Sequence, residues 1–291
     1  MSNPEYLLNR DAKETARLIA QHDWLKQLVG CNIHPSIPIP RDETTSSTSN
    51  LRIADVATGT AIWLLDLAST LPSSSTAEFY GFDISTKQFP APEDRPANVF
   101  LHEHNVLNPF PEEYRGTFDV VAVRLITAGL RTSDWETAVG NLCTLLKPGG
   151  HLQWIEPIHS SLQVLNALPG APNAATRQAV QLFLDAYRKT LYPGPLQVPE
   201  LSRKHGLEEV ALEVFPSDRF PDHEKVRSQG KDFLSGVCTA MMGYIVGDGS
   251  TGLTEEKVKD VVKRSMEELD GGLFLRSEMQ FVVCRKPSLP A

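Results

Sequence analysis

Residues 51–71 constrain the fold more than any other stretch. An apolar run, Leu51 to Val56, passes through Asp55 into a turn of small residues, Ala57-Thr58-Gly59-Thr-Ala61, and leaves as a second apolar run, Ile62 to Leu71. An acidic residue at a strand end, then small residues at 57, 59 and 61, suits a strand–loop–helix unit whose backbone approaches a ligand closely. The acidic residue and the small ones do different work. One offers charge, and the others offer room.

From Leu51 onward the chain alternates between strand and helix signals. Strands are expected at 51–56, 78–83, 99–102, 118–124, 151–155, about 208–215 and 278–285, with helices notably at 61–71 and 133–146. Short apolar strands separated by helices predict a mainly parallel sheet with helices on both faces. The last two strands flank a helical stretch and are expected to pair antiparallel at one edge. Residues 4–30 carry apolar positions at helix spacing, with Gly30 as the stop, and Tyr6, Arg17, Gln21 and His22 ride on this helix. Residues 35–50, with three prolines and then a polar run, read as a linker. Two further helical segments, 173–191 with Asn173 as its cap and 222–247 with Phe233, Leu234, Val237, Met241, Met242 and Ile245 on its apolar side, are expected to cover a site as lids. The domain reading is thus a helical cap and linker over 1–50 and one catalytic-type domain over 51–291.

Composition narrows the class. With 291 residues the chain can bury a substantial core, and 41% hydrophobic with 22% charged residues is ordinary for a globular protein. A net charge of −8 weighs against a nucleic-acid partner. No apolar stretch approaches the roughly 20 residues that span a bilayer, and the first residues lack a secretory pattern. Cys31, Cys143, Cys238 and Cys284 are scattered without metal spacing, which points to a reducing, cytoplasmic location and no bound metal. The oligomeric state has no signature.

The turn also selects its ligand. A dinucleotide-binding turn reads Gly-x-Gly-x-x-Gly so that a pyrophosphate can sit on the backbone. Aligned on Gly59, this chain has Ala57 at the first glycine and Ile62 at the last. S-adenosyl-L-methionine carries no phosphate: it needs a small loop beneath the methionine part and an acidic strand end, Asp55, near its ammonium. Asp83, with Ile84 after it, ends the second strand, where a carboxylate accepts hydrogen bonds from both ribose hydroxyls. Asn105 and Val106 follow the third strand, and an amide there can donate to and accept from an adenine edge.

Together Asp55 to Ala61, Asp83, Asn105-Val106, Phe118-Asp-Val-Val and Leu146-Lys-Pro-Gly-Gly150 resemble the successive motifs of class I S-adenosylmethionine-dependent methyltransferases. The N-terminal Tyr6…Glu14-x-x-Arg17-Leu-x-x-Gln21-His22 and the Gln153-Trp-x-Glu156 strand end are similar to fungal secondary-metabolite methyltransferases. The resemblance implies an α/β Rossmann-like fold with a seven-stranded, mainly parallel sheet, an antiparallel last strand and helical N-terminal and lid insertions. It implies S-adenosyl-L-methionine as cofactor, bound by Tyr6, Arg17, Gln21, Asp55, Ala57, Thr58, Gly59, Asp83, Ile84, Asn105, Val106 and Arg124. Two positions depart from the family pattern. Ala57 replaces its first glycine, and Asn105 stands where an aspartate is common.

The expected reaction is methyl transfer to an O or N atom of a small secondary metabolite. His22 is the first candidate beside the transferred methyl and His159, just beyond the fifth strand, the second. His102 and His104 are expected to be exposed. Phe183, Tyr187, Phe233, Met241 and Met242 would suit an aromatic acceptor. Two other functions share the fold: a cyclisation or rearrangement that uses the bound sulfonium without transferring its methyl, and a non-catalytic regulatory partner. A dehydrogenase is the most distant reading.

Overall fold

The alternating apolar runs form a seven-stranded sheet in the computed structural model, which describes residues 12–39, 50–71, 76–166, 169–219, 223–248 and 253–288. The strands are β1 (Leu51–Val56), β2 (Ala77–Asp83), β3 (Val99–Glu103), β4 (Phe118–Arg124), β5 (Leu146–Asn166), β6 (Glu208–Pro216) and β7 (Leu273–Arg285), in the order β3-β2-β1-β4-β5-β7-β6. The first five are parallel, and β7 lies antiparallel between β5 and β6. The strand order reverses between β1 and β4, so their carboxyl ends open a crevice.

Two apolar layers sandwich the sheet, and the period of two decides which residue joins which. Val121 and Val123 of β4 meet Trp135, Leu142 and Leu145 of α3 (Trp135–Leu145) and Val198 of α5 (Val198–Lys204). Val120 and Ala122 face the other way, toward Leu25 and Leu28 of α1 (Ala12–Val29) and Trp63 and Leu67 of α2 (Ile62–Thr70). Ile33 and Ile37 join this second layer at 3% and 1% exposure. The first part of the expected linker is therefore irregular yet packed into the core, anchored where Gln153 donates to the Asn32 carbonyl and accepts from the His34 amide. Residues 40–49 and Tyr6 lie outside the described residues.

β5 and β7 run past the sheet as a ribbon, with Gln163–Asn166 paired to Leu273–Arg276. The ribbon carries a third core with α4 (Ala174–Thr190), α6 (His223–Phe233), α7 (Thr239–Asp248) and α8 (Glu255–Asp270). Three local expectations change here. The 222–247 segment is two helices joined by a π-helical turn, Leu234–Cys238, where the Thr239 hydroxyl donates to the Leu234 carbonyl at 2.6 Å; the side chain of Ile245 is outside the described residues. Asn173 makes no capping bond. Instead Glu268 of α8 accepts from the amides of Ala175 and Thr176 and from the Thr176 hydroxyl, so the cap comes from a neighbouring helix and ties α4 to α8. Lys147-Pro-Gly-Gly150 is a bulge inside β5, between the Phe118–Leu146 and Val120–His151 pairs, and not a turn ahead of it. Gly150 is required there because a Cβ would lie 2.7 Å from the Phe118 carbonyl oxygen.

Ala57 has φ +63°, in the left-handed region that costs an L-residue about 1–2 kcal/mol. The family glycine is missing where the backbone calls for it. Ala57→Gly is accordingly expected to raise stability by about 1 kcal/mol, net of the entropy glycine adds to the unfolded chain. Urea unfolding measures this; an unchanged or lowered midpoint would contradict it.

Candidate active site

The Asp55–Ala61 turn lies at the crevice, at the base of a cavity of about 1270 Å³. A single drug-sized ligand fills roughly 300–1,000 Å³, so this space accommodates two molecules side by side. One half is walled by the turn, the ends of β2 and β4, and α1. The other is walled by β5, β7, α6, the π turn and α7.

In the first half Asp83 fixes the floor. Its Oδ2 accepts from the Gly59 amide at 2.9 Å and its Oδ1 from the Ser85 amide at 3.1 Å, so one carboxylate holds the loops after β1 and β2 together. Ala57, Thr58, Gly59, Ile84, Asn105 and Val106 share the wall with it, as do Arg17 and Gln21 of α1. Ile84 remains 42% exposed, an apolar surface beside a carboxylate. Asn105 spends its carbonyl on the Leu107 amide at 3.0 Å. His104 is also on the wall, and both His102 and His104 are half-buried among Tyr80, Phe82, Phe110 and Tyr114 rather than exposed.

Asp55 sits differently from the expectation. It is 1% exposed, lies under the turn rather than on the cavity wall, and accepts the Thr58 hydroxyl at 2.8 Å. Burial pushes its carboxyl up to about 6, against the pull of the Arg124 charge. Its direct role is to brace the turn.

His22 also differs. Arg124 Nη1 lies 3.1 Å from His22 Nδ1, and Asp66 Oδ2 lies 3.1 Å from His22 Nε2. A guanidinium can only donate, so Nδ1 is the acceptor and the ring proton is on Nε2, directed at Asp66. The imidazole is neutral with its lone pair occupied, and burial and the Arg124 charge hold its pKa down. It cannot take a proton from an acceptor without giving up Arg124. His22 itself lines the cavity, with both ring nitrogens engaged by Arg124 and Asp66.

His159 is placed differently. It lies on the wall of the second half, 8% exposed, with Phe183 and Tyr187 edge-on at 5.2 Å and Phe233 at 6.2 Å. Burial pushes its pKa down to about 4, so the ring is neutral at physiological pH. Phe233 and Met241 share this wall, whereas Phe183, Tyr187 and Met242 are buried behind it.

Thr60 and Gln88 on the cavity wall and Asp66 behind His22 carry no local sequence signal of that placement. Glu156 was visible only as part of the Gln153-Trp-x-Glu156 strand end. It is fully buried at the end of β5 and accepts from the Ile126 amide (2.7 Å), the Thr127 amide (3.3 Å), the Thr127 hydroxyl and Trp154 Nε1 (3.0 Å). These bonds hold the loop after β4, where Leu125 adopts φ +58°. Burial raises the carboxyl to about 7 despite four donors that lower it.

The residues present fit an adenosyl cofactor. Among the described residues Thr60 Oγ1, Gln88 Nε2 and Arg124 Nε are buried without a partner, and all three residues line the cavity. Groups of this kind are costly unless something else satisfies them. Asp83 and Ile84 place a carboxylate next to an apolar face, the pairing a nucleoside requires.

Comparison with known proteins agrees. A methyltransferase-domain family model matches residues 53–150. The N-methyltransferase gliN of Aspergillus fumigatus is 34% identical over 212 residues, covering 72% of this chain and 70% of that protein. The methyltransferase grgD of a Penicillium species is 39% identical over 156 residues, and there the match spans about half of each chain, 52% of both. Among solved structures, phosphoethanolamine N-methyltransferase 2 of Haemonchus contortus, in complex with phosphomonomethylethanolamine and S-adenosylhomocysteine, superposes with a TM-score of 0.50 at 14% identity, covering 99% of this chain and 61% of that one. That likeness speaks to the fold. Motif order, sheet topology and the extended match to gliN lead to one assignment: the chain belongs to the class I S-adenosylmethionine-dependent methyltransferase family.

Proposed function

We propose that the chain catalyses methyl transfer from S-adenosyl-L-methionine to a nitrogen or oxygen of a small secondary metabolite. The observation that carries this reading is the two-part cavity, with nucleoside-binding groups in one half and a neutral histidine among apolar walls in the other. The N-methyltransferase activity of gliN favours nitrogen over oxygen.

S-adenosyl-L-methionine supplies an electrophilic methyl on a sulfonium. The chain's own residues do the rest. Asp83 would accept the ribose hydroxyls, and Ile84, Asn105 and Val106 would serve the adenine. Ala57, Thr58 and Gly59, braced by Asp55, would hold the methionine part together with Arg17, Gln21, Arg124 and Tyr6. The second half holds the acceptor in line and excludes water, which lowers the barrier through proximity. His159, neutral and on the cavity wall, would be the group that receives the acceptor's proton.

Residues 1–50 act as the cap and 51–291 as the catalytic unit, with the segments near 173–191 and 222–247 over the acceptor half. Among the described residues no helix is long and apolar enough to cross a membrane. Four free cysteines favour the reducing cytoplasm, and the net negative charge favours a small molecule over nucleic acid as partner.

Incubation with methyl-labelled S-adenosyl-L-methionine and a panel of amine, amide and phenol metabolites tests the reaction. Label transfer with stoichiometric S-adenosylhomocysteine is expected. A product formed without S-adenosylhomocysteine, or no binding of the cofactor by calorimetry, would overturn the reading.

A further inference from the structure

Arg124 is an unusual cation for this site. It comes from the end of β4 onto the cavity wall, and its guanidinium carbon lies 5.6 Å from the centre of the Trp63 ring. Burial lowers its pKa, while the Asp55 and Asp66 charges act at a distance to restore it. Among the described residues its one hydrogen-bond partner is neutral His22, its Nε is buried without a partner, and no carboxylate is within ion-pair reach of it. By contrast Arg17, also on the wall, is held through two 2.7 Å bonds by both oxygens of Glu14. A buried guanidinium with no anion of its own is expensive. A ligand anion removes that cost.

What aims Arg124 is one step further back. Asp66 is on α2 and does not line the cavity. Its Oδ2 receives His22 Nε2 at 3.1 Å, Lys26 Nζ at 2.6 Å and Asn32 Nδ2 at 2.6 Å. The three donors fix the carboxylate, which keeps the His22 proton on Nε2. That leaves Nδ1 bare to receive Arg124. With the other tautomer, an N–H would point at the guanidinium and release it.

We propose that Asp66 is a positioning residue that, through the His22 tautomer, sets Arg124 to receive the carboxylate of the cofactor's methionine tail. The proposal rests on the adenosylmethionine reading. It follows from charge: the cofactor carries a sulfonium and an ammonium, so a further cation beside it is tolerable only against its single anion. The relay makes the site selective for a cofactor that retains this carboxylate.

The test compares S-adenosylmethionine with decarboxylated S-adenosylmethionine, which lacks only that group, by calorimetry on the intact chain. The wild-type protein is expected to bind the complete cofactor about 30-fold more tightly, the scale of a charge-assisted bidentate contact. Asp66→Ala, which leaves no acceptor opposite His22 Nε2, is expected to reduce the ratio to about threefold while leaving the affinity for the decarboxylated ligand unchanged, a split that a merely structural role would not produce. Nitrogen NMR of the wild type should show His22 with Nε2 protonated and Nδ1 bare at neutral pH. Equal binding of the two ligands, the opposite tautomer, or an equal loss for both ligands in Asp66→Ala would overturn the relay and leave the methyltransferase reading standing. Binding of neither ligand would remove both.

Discussion

Asp83→Ala is expected to weaken S-adenosylhomocysteine binding by at least about 100-fold, the largest loss from any single cofactor-site change. Two effects add. The carboxylate is the proposed acceptor for both ribose hydroxyls, and hydrogen bonds to a charged group contribute about 1.5–3 kcal/mol each. It also receives the Gly59 and Ser85 amides, so its removal releases the turn that forms the floor of the site. Asp83→Asn separates the two effects. An amide keeps one acceptor but loses the charge, and binding about tenfold weaker than wild type is expected. Calorimetry reads both variants, and an alanine variant with undiminished affinity would remove Asp83 from the cofactor site.

The placement of Asp83 was legible because it is local: an acidic residue at a strand end, whose carboxylate accepts the Gly59 and Ser85 amides of the neighbouring turns. The same holds for the sheet. β1 to β4 follow from runs of five to seven residues that alternate or stay apolar, and their order follows from parallel strands needing helical crossovers. What the sequence does not display is any interaction made by elements distant along the chain. His22, Asp66 and Arg124 come from α1, α2 and β4, and no spacing rule links 22, 66 and 124. Read alone, His22 is a histidine on a helix near a cofactor, which suits a base. Only the guanidinium on its Nδ1 shows that its lone pair is taken. Glu268 capping α4 is the same kind of contact: Asn173 has the right side chain at the right position, yet a carboxylate 92 residues from Thr176 makes the bond. Ala57 shows the limit in another form. Its identity was plain, but only the backbone angle shows that the turn demands what glycine provides.

Glu156 and His159 are expected to give pH dependences of opposite sign, although they are separated by two residues on one strand. Glu156 has its folded pKa raised from 4.5 to about 7. The folded state therefore holds this proton more firmly than the unfolded chain, and the group's contribution is complete below pH 4.5 and lost as pH rises to 7. His159 has its folded pKa lowered from 6.5 to about 4. Its contribution is complete above pH 6.5 and lost as pH falls to 4. Each shift corresponds to about 3 kcal/mol over its window. In the wild type the two oppose each other between pH 4.5 and 6.5 and flatten the profile; Asp55, raised from 3.8 to about 6, adds to the Glu156 side. Single variants separate them. Relative to wild type, Glu156→Gln should gain about 3 kcal/mol as pH rises from 4.5 to 7, whatever fixed penalty its four donors impose. His159→Phe should lose a similar amount relative to wild type as pH rises from 4 to 6.5, because the wild type recovers its neutral imidazole over that range. Urea midpoints across pH 4 to 7.5 measure both. Parallel profiles for wild type and His159→Phe would mean that burial does not hold the imidazole pKa down, and the opposition of sign between His159 and Glu156 would be lost.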